Sequence, residues 1–173
     1  TIGLAYATTL LPESERRSFS LLVAVPAIAL LAYASMAMGV GSIETNHGQV
    51  FLPRYIDWLV TTPIHVVYIG LLAGASRRLI AKTAGLQATT IGLGLVASLV
   101  AFPFNILAYL LGLATFGGVV WYFYTGFSDA AAHRSDPVCD LFSKTRSFVV
   151  VLWLIYPFIW VLAPYGFELM DIE

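Results

Sequence analysis

Fifteen consecutive residues carry the chemistry of this chain: Arg54-Tyr-Ile-Asp-Trp-Leu-Val-Thr-Thr-Pro-Ile-His-Val-Val-Tyr68. They set an arginine and an aspartate inside an otherwise apolar stretch of membrane-spanning length, and an ionisable residue in lipid is costly enough to be read first as functional. Arg54, Asp57 and Thr61 follow one another at i, i+3 and i+7, so a helix puts them on one face. Tyr68 lies eleven residues from Asp57, about 16 Å along a helix axis and on the same face. A carboxylate that stays ionised there needs a cation nearby; without one it protonates. The same spacing also suits a purely structural Arg54–Asp57 ion pair, and Thr61 and Thr62 suit hydroxyls that bond back to their own helix.

Other candidates surround this segment in sequence. Trp153, Tyr156 and Trp160 recur at intervals of three and four, one face of an apolar helix. Membrane Trp and Tyr most often form interfacial belts and next most often pack, but Trp153 and Tyr156 sit mid-span beside Pro157. Rigid aromatics opposite a buried aspartate also suit the walls of a cavity for a large flat ligand. His65, mid-span after Pro63, fits a satisfied core histidine better than a cavity-wall residue or a proton carrier. His47 and His133 read as solvated loop residues. Gly92-Leu-Gly94 reads as a place of close helix packing rather than a phosphate loop.

The elements that must position these residues follow from composition. Of 173 residues 59% are hydrophobic and 11% charged, and the mean hydropathy is +0.83. Soluble domains run at about 45–50% apolar and about 25% charged, so the chain reads as an all-α, multi-pass membrane protein. Spans of roughly 20 residues fall near 18–40, 51–74, 84–102, 104–127 and 148–163. Their only charges are Arg54 and Asp57. The longest connection, 128–146, is polar and holds the lone cysteine, Cys139, which leaves no internal disulfide. The basic residues form no stripe with aromatics, which argues against nucleic acid. No Cys/His cluster suggests a metal, and no nucleophile stands beside a base, so an enzyme is not expected.

Arg16 and Arg17, then Arg77, Arg78 and Lys82, then Arg134, Lys144 and Arg146 mark alternate connections, while 41–49 and 102–105 carry no Lys or Arg. The basic loops are therefore expected in the cytoplasm of a cell-membrane protein, with Asp57 in the outer part of its helix. The segment 41–49 reads as a turn-rich external hairpin. Residues 1–11, about 16 Å as helix, are too short to cross. Both ends read as cut, with most of a first helix and all of a last one outside the chain.

At this point the residues match a family. Arg54-Tyr-Ile-Asp57-Trp58-Leu-Val-Thr61-Thr62-Pro63 resembles the third-helix signature of the archaeal-type microbial rhodopsins, the seven-helix retinal proteins. Val150-Val-Leu-Trp153-Leu-Ile-Tyr156-Pro157-Phe-Ile-Trp160 resembles their sixth helix. Val25-Pro26-Ala27 with Tyr33 and Ser35 is similar to their second. The resemblance runs from Pro12 to Glu173 and implies one seven-transmembrane-helix bundle domain, here without its seventh helix and most of its first.

The resemblance further implies retinal bound as a protonated Schiff base, with Asp57 as counterion and proton acceptor and Arg54 as the partner opening the extracellular proton path. Tyr33, Trp58, Thr61, Thr62, Trp153, Tyr156 and Trp160 would line the pocket, with His65, Tyr109, Gly112 and Phe116 approaching it and Gly94 near the ring. The only lysines, Lys82 and Lys144, lie at loop ends, so the retinal lysine would belong to a seventh helix outside the chain. Outward proton pumps of the family carry a carboxylic acid where Tyr68 stands. A phenol, with a reference pKa about 10, is a poor donor near neutral pH. Slow reprotonation suits a sensor, and the motifs are closest to the sensory and middle rhodopsins. The implied function is a light-absorbing photoreceptor signalling through helix movement to a membrane transducer. The alternative is a slow light-driven outward proton pump. Besides lipid and a transducer, further copies of the chain are compatible partners.

Overall fold

The computed structural model describes residues 6, 9, 13–45 and 48–163; within 13–22 only the Arg16 side chain is included. The described chain is helical apart from one hairpin. Its elements are α1 (Glu13–Ala37), β1 (Ser42–Thr45), β2 (Gly48–Phe51), α2 (Leu52–Ala73), α3 (Arg77–Leu99), α4 (Phe104–Tyr124), the short α5 (Gly126–Ala131) and α6 (Asp136–Leu162). Among the described residues, four stretches are long and apolar enough to cross a membrane: Leu52–Ala73, Arg77–Leu99, Phe104–Ala131 and Asp136–Leu162. In α1, Val23–Ala37 forms a shorter apolar helix. Large apolar side chains such as Leu31 (73% exposed) and Phe148 (68%) turn outward, as lipid-facing positions do.

The segment expected to be a hairpin is one. β1 and β2 pair antiparallel with Ser42 opposite Phe51 and Thr45 opposite Gly48; His47 lies outside the described residues. Gly41, at φ +84°, seats the hairpin on α2, since a Cβ there would lie 2.8 Å from Pro53. Pro53 in turn occupies the first turn of α2, where its missing N–H costs nothing. At the other end Gly74 adopts φ +75° and closes the helix, with Ala75 N–H bonded to Gly70 O at 2.9 Å. A left-handed closing residue of this kind is usually glycine.

Helix bounds differ from the sequence reading at several places, α1 running Glu13–Ala37 rather than 18–40. α3 begins at Arg77 rather than 84, because Ser76 caps it by accepting from Leu79 N. α6 begins at Asp136 rather than 148, with Ser135 at its cap and Pro137 in its first turn. Most of 128–146 is therefore helix, and Cys139 lies in it rather than in a loop. The fourth span divides at Thr125 (φ −111°, ψ −93°) into α4 and α5.

The core occupies one end of the bundle. Val66, Ile69 and Ala73 of α2 pack with Ile80, Val119, Phe123, Phe127, Phe142 and Val150 from the other helices. The first half of α2, which carries Asp57, lies away from this cluster and borders cavities.

Candidate chromophore cavity

α2 places its polar residues on the inner face. Asp57 is 4% exposed, and Thr61 and Thr62 are buried with it. Both threonines bond back to their helix: Thr61 Oγ1 donates to Asp57 O and Thr62 Oγ1 to Trp58 O, each at 2.8 Å. The Thr62 hydroxyl is thereby taken, while the Thr61 side chain also lies in contact with the Asp57 carboxyl group. Its Oδ1 atom is buried without a hydrogen-bond partner. Arg54 does not fill the gap. No Arg54–Asp57 ion pair forms, and the guanidinium lies 5.4 Å from the Phe51 ring centroid.

Asp57 borders a cavity of about 340 Å³. Tyr33 comes from α1; Trp58, Thr61, Thr62 and His65 from α2; Phe116 from α4; Trp153 and Tyr156 from α6. Trp58 and Tyr156 meet edge to face at 4.7 Å between ring centroids. The lining is otherwise mostly apolar. Beyond Trp58, Phe116 and Tyr156 a second cavity of about 120 Å³ continues between α3, α4 and α6, bounded by Gly94, Tyr109, Gly112 and Trp160. Tyr109 stacks on Trp160 at 4.4 Å, and its hydroxyl donates to Pro157 O at 3.0 Å.

All the candidate residues except Arg54 and Tyr68 thus border one of two adjoining cavities. Arg54 borders a third, of about 300 Å³, toward the hairpin with Gln49 and Phe51. Tyr68 is partly buried against the core cluster. Gly94 is not a close-packing residue, since a Cβ there would meet nothing within 4 Å. Gly112 does lie against α3, with its Cβ position 3.7 Å from Thr90 O.

The sequence reading missed Gln87 and Ser98. Gln87 is 2% exposed and donates from Nε2 to Thr62 Oγ1 at 3.1 Å, leaving its Oε1 without a partner beside the cavity. An amide within an apolar span was the available signal. Fully buried Ser98 joins three helices. Its hydroxyl donates to Gly94 O and accepts from Trp160 Nε1 at 3.0 Å. Its single proton being used, the 2.6 Å contact with Tyr55 has the tyrosine as donor.

Four buried side-chain polar atoms lack a partner among the described residues: Asp57 Oδ1, His65 Nδ1, Gln87 Oε1 and Arg146 Nε. The first three belong to residues around the larger cavity. Buried polar groups are normally satisfied, so this clustering marks a site built around something other than its own side chains. His65 lies at the cavity wall with its ring close to the Thr61 backbone, while its Nδ1 atom has no partner among the described residues.

A family model described as "Bacteriorhodopsin-like protein" matches residues 1–173. The chain belongs to that family. It is 45% identical over 174 residues to sensory rhodopsin-2 of Haloarcula vallismortis, covering all of this chain and 74% of that relative. Among solved structures, thermophilic rhodopsin from Rubrobacter xylanophilus superposes with a TM-score of 0.92 at 30% identity, over 98% of this chain and 76% of that one. The light-driven proton pump rhodopsin of Coccomyxa subellipsoidea gives 0.93 at 27%, over 98% and 77%. These proteins share the seven-helix microbial rhodopsin fold, so this bacteriorhodopsin-like chain has that fold, with α1 to α6 as described parts of it.

Proposed function

We propose that this rhodopsin is a retinal photoreceptor whose Asp57 is the counterion and proton acceptor. One observation carries the reading: a buried carboxylate oxygen without a donor faces a long cavity walled by aromatic rings. Such a site fits a flat apolar group ending in a cationic nitrogen. The carboxylate would supply the missing charge, and a buried charge requires that kind of partner. Trp58, Trp153 and Tyr156 would hold the polyene, with Tyr109, Gly112, Phe116 and Trp160 around its ring. When bound through a lysine outside this chain, retinal supplies visible absorption and light-driven isomerisation.

Asp57 takes a proton when light moves the charge it faces, and its loss of charge removes the attraction that holds α2 to the opposite wall. A helix movement read by a membrane transducer is the sensory outcome, supported by the 45% identity to a sensory rhodopsin. The basic connections lie in the cytoplasm on this reading. The alternative, a slow outward proton pump, draws on the likeness to a light-driven pump structure. Tyr68, where the pumps carry an acid, disfavours it.

The test is the visible spectrum of the full-length protein with all-trans-retinal, before and after hydroxylamine. A visible band that bleaches supports the reading, and a folded protein that stays colourless overturns it. Light-induced acidification by vesicles without a transducer would favour the pump.

A further inference from the structure

Tyr68 leaves the cytoplasmic side of the cavity without an acid, yet that side holds one titratable group that no role above uses. His65 lies eight residues past Asp57, about 12 Å along α2 and one turn short of Tyr68. Its ring borders the same cavity as Asp57, and its Nδ1 is buried without a partner. The Trp153 ring, 6.2 Å away and nearly perpendicular, backs the imidazole. The other titratable side chains around the cavity are Tyr33 of α1, Asp57 of α2 and Tyr156 of α6; α3 contributes Gln87, which does not titrate.

We propose that His65 is a second proton-exchanging residue of the cavity, supplying from the cytoplasmic side a proton that replaces the one Asp57 takes up. The proposal rests on the retinal reading above. A neutral imidazole has one N–H and one bare nitrogen. A proton entering from cytoplasmic water forms a bond to the bare nitrogen. The N–H bond on the other nitrogen breaks, and its proton passes to the nitrogen whose proton Asp57 has taken. His65 ends neutral, in the other tautomer, so no net charge is left in the apolar surroundings. An imidazole suits this transfer near neutral pH where a phenol does not.

The experiment uses the full-length protein in lipid bilayers, with and without retinal. General acids and bases contribute about 10²–10⁴-fold to a proton transfer. His65→Leu and His65→Gln should therefore slow recovery after a flash by at least about ten-fold, and added imidazole should restore it. ¹⁵N resonances of His65 in the retinal-free protein provide a second readout: they should titrate and should shift on Asp57→Asn. A merely structural histidine would show neither the imidazole rescue nor the coupling. Wild-type recovery in both variants, together with ¹⁵N resonances constant from pH 5 to 9, would overturn the proposal while the pigment's band left the retinal reading intact. A colourless wild-type protein would instead overturn the retinal reading, and this proposal with it.

Discussion

Asp57 is the residue on which the proposed chemistry turns, and its surroundings differ from what spacing alone implies. The i, i+3 relation to Arg54 suggests a contact, but the guanidinium turns to Phe51 and the hairpin. Helical spacing fixes which face a side chain leaves from, not where a long flexible one ends. The aspartate is left to the cavity. Ser98 yields a prediction at the same scale. Replacing it with alanine removes the acceptor for Trp160 Nε1 and the Tyr55 hydroxyl. A buried donor left unsatisfied costs about 1–3 kcal/mol, so Ser98→Ala should lower stability by at least that much in thermal unfolding followed by circular dichroism.

At the scale of elements, two glycines on neighbouring helices behave oppositely. A Cβ on Gly70 would lie 2.6 Å from Ile80 Cγ1 and 3.1 Å from Phe127 Cζ. Alanine there gains about 1 kcal/mol of helix propensity, but overpacking a core costs about 1–3 kcal/mol. Gly70→Ala should therefore destabilise. Gly94→Leu meets open cavity at its Cβ and should leave the unfolding midpoint nearly unchanged while reducing retinal uptake, measured as the visible band regained on titration. The apolar runs made the spans legible, and the Gly-rich 41–49 segment made the hairpin legible. Helix starts were less so. Charged Arg77, Arg78 and Lys82 look like loop, yet they open α3, and Lys82 Nζ sits 4.9 Å from the Tyr122 ring centroid. Long basic side chains reach the interface from within a helix. The Ser135-Asp136-Pro137 start of α6 was readable from its cap chemistry, but the polarity of 128–146 masked it. The family resemblance placed His65 and Gly94 at the pocket, whereas Gln87 needed the neighbouring helices to reveal what it faces.

For the whole molecule, the described residues divide into a packed end and a cavity end, and on the proposed reading these separate structural from photochemical work. The core around Phe123 and Phe127 anchors the helices, and the cavities lie beyond it around Asp57 and Trp160. Tyr68 is packed against the core, and the sensory and pumping readings diverge at this residue. Tyr68→Asp should speed recovery after a flash by about ten-fold or more, since a carboxylic acid is the better donor near neutral pH. If the native protein is a sensor, this variant should acidify illuminated vesicle suspensions more than the wild type does.

The most direct measurement is the absorption maximum of the full-length Asp57→Asn pigment against wild type. Removing the negative charge beside a cationic chromophore lowers its excitation energy, so the band should move to the red and the fast proton transfer after a flash should vanish. An unchanged maximum with an unchanged photocycle would contradict Asp57 as the counterion, and with it the central claim about this cavity.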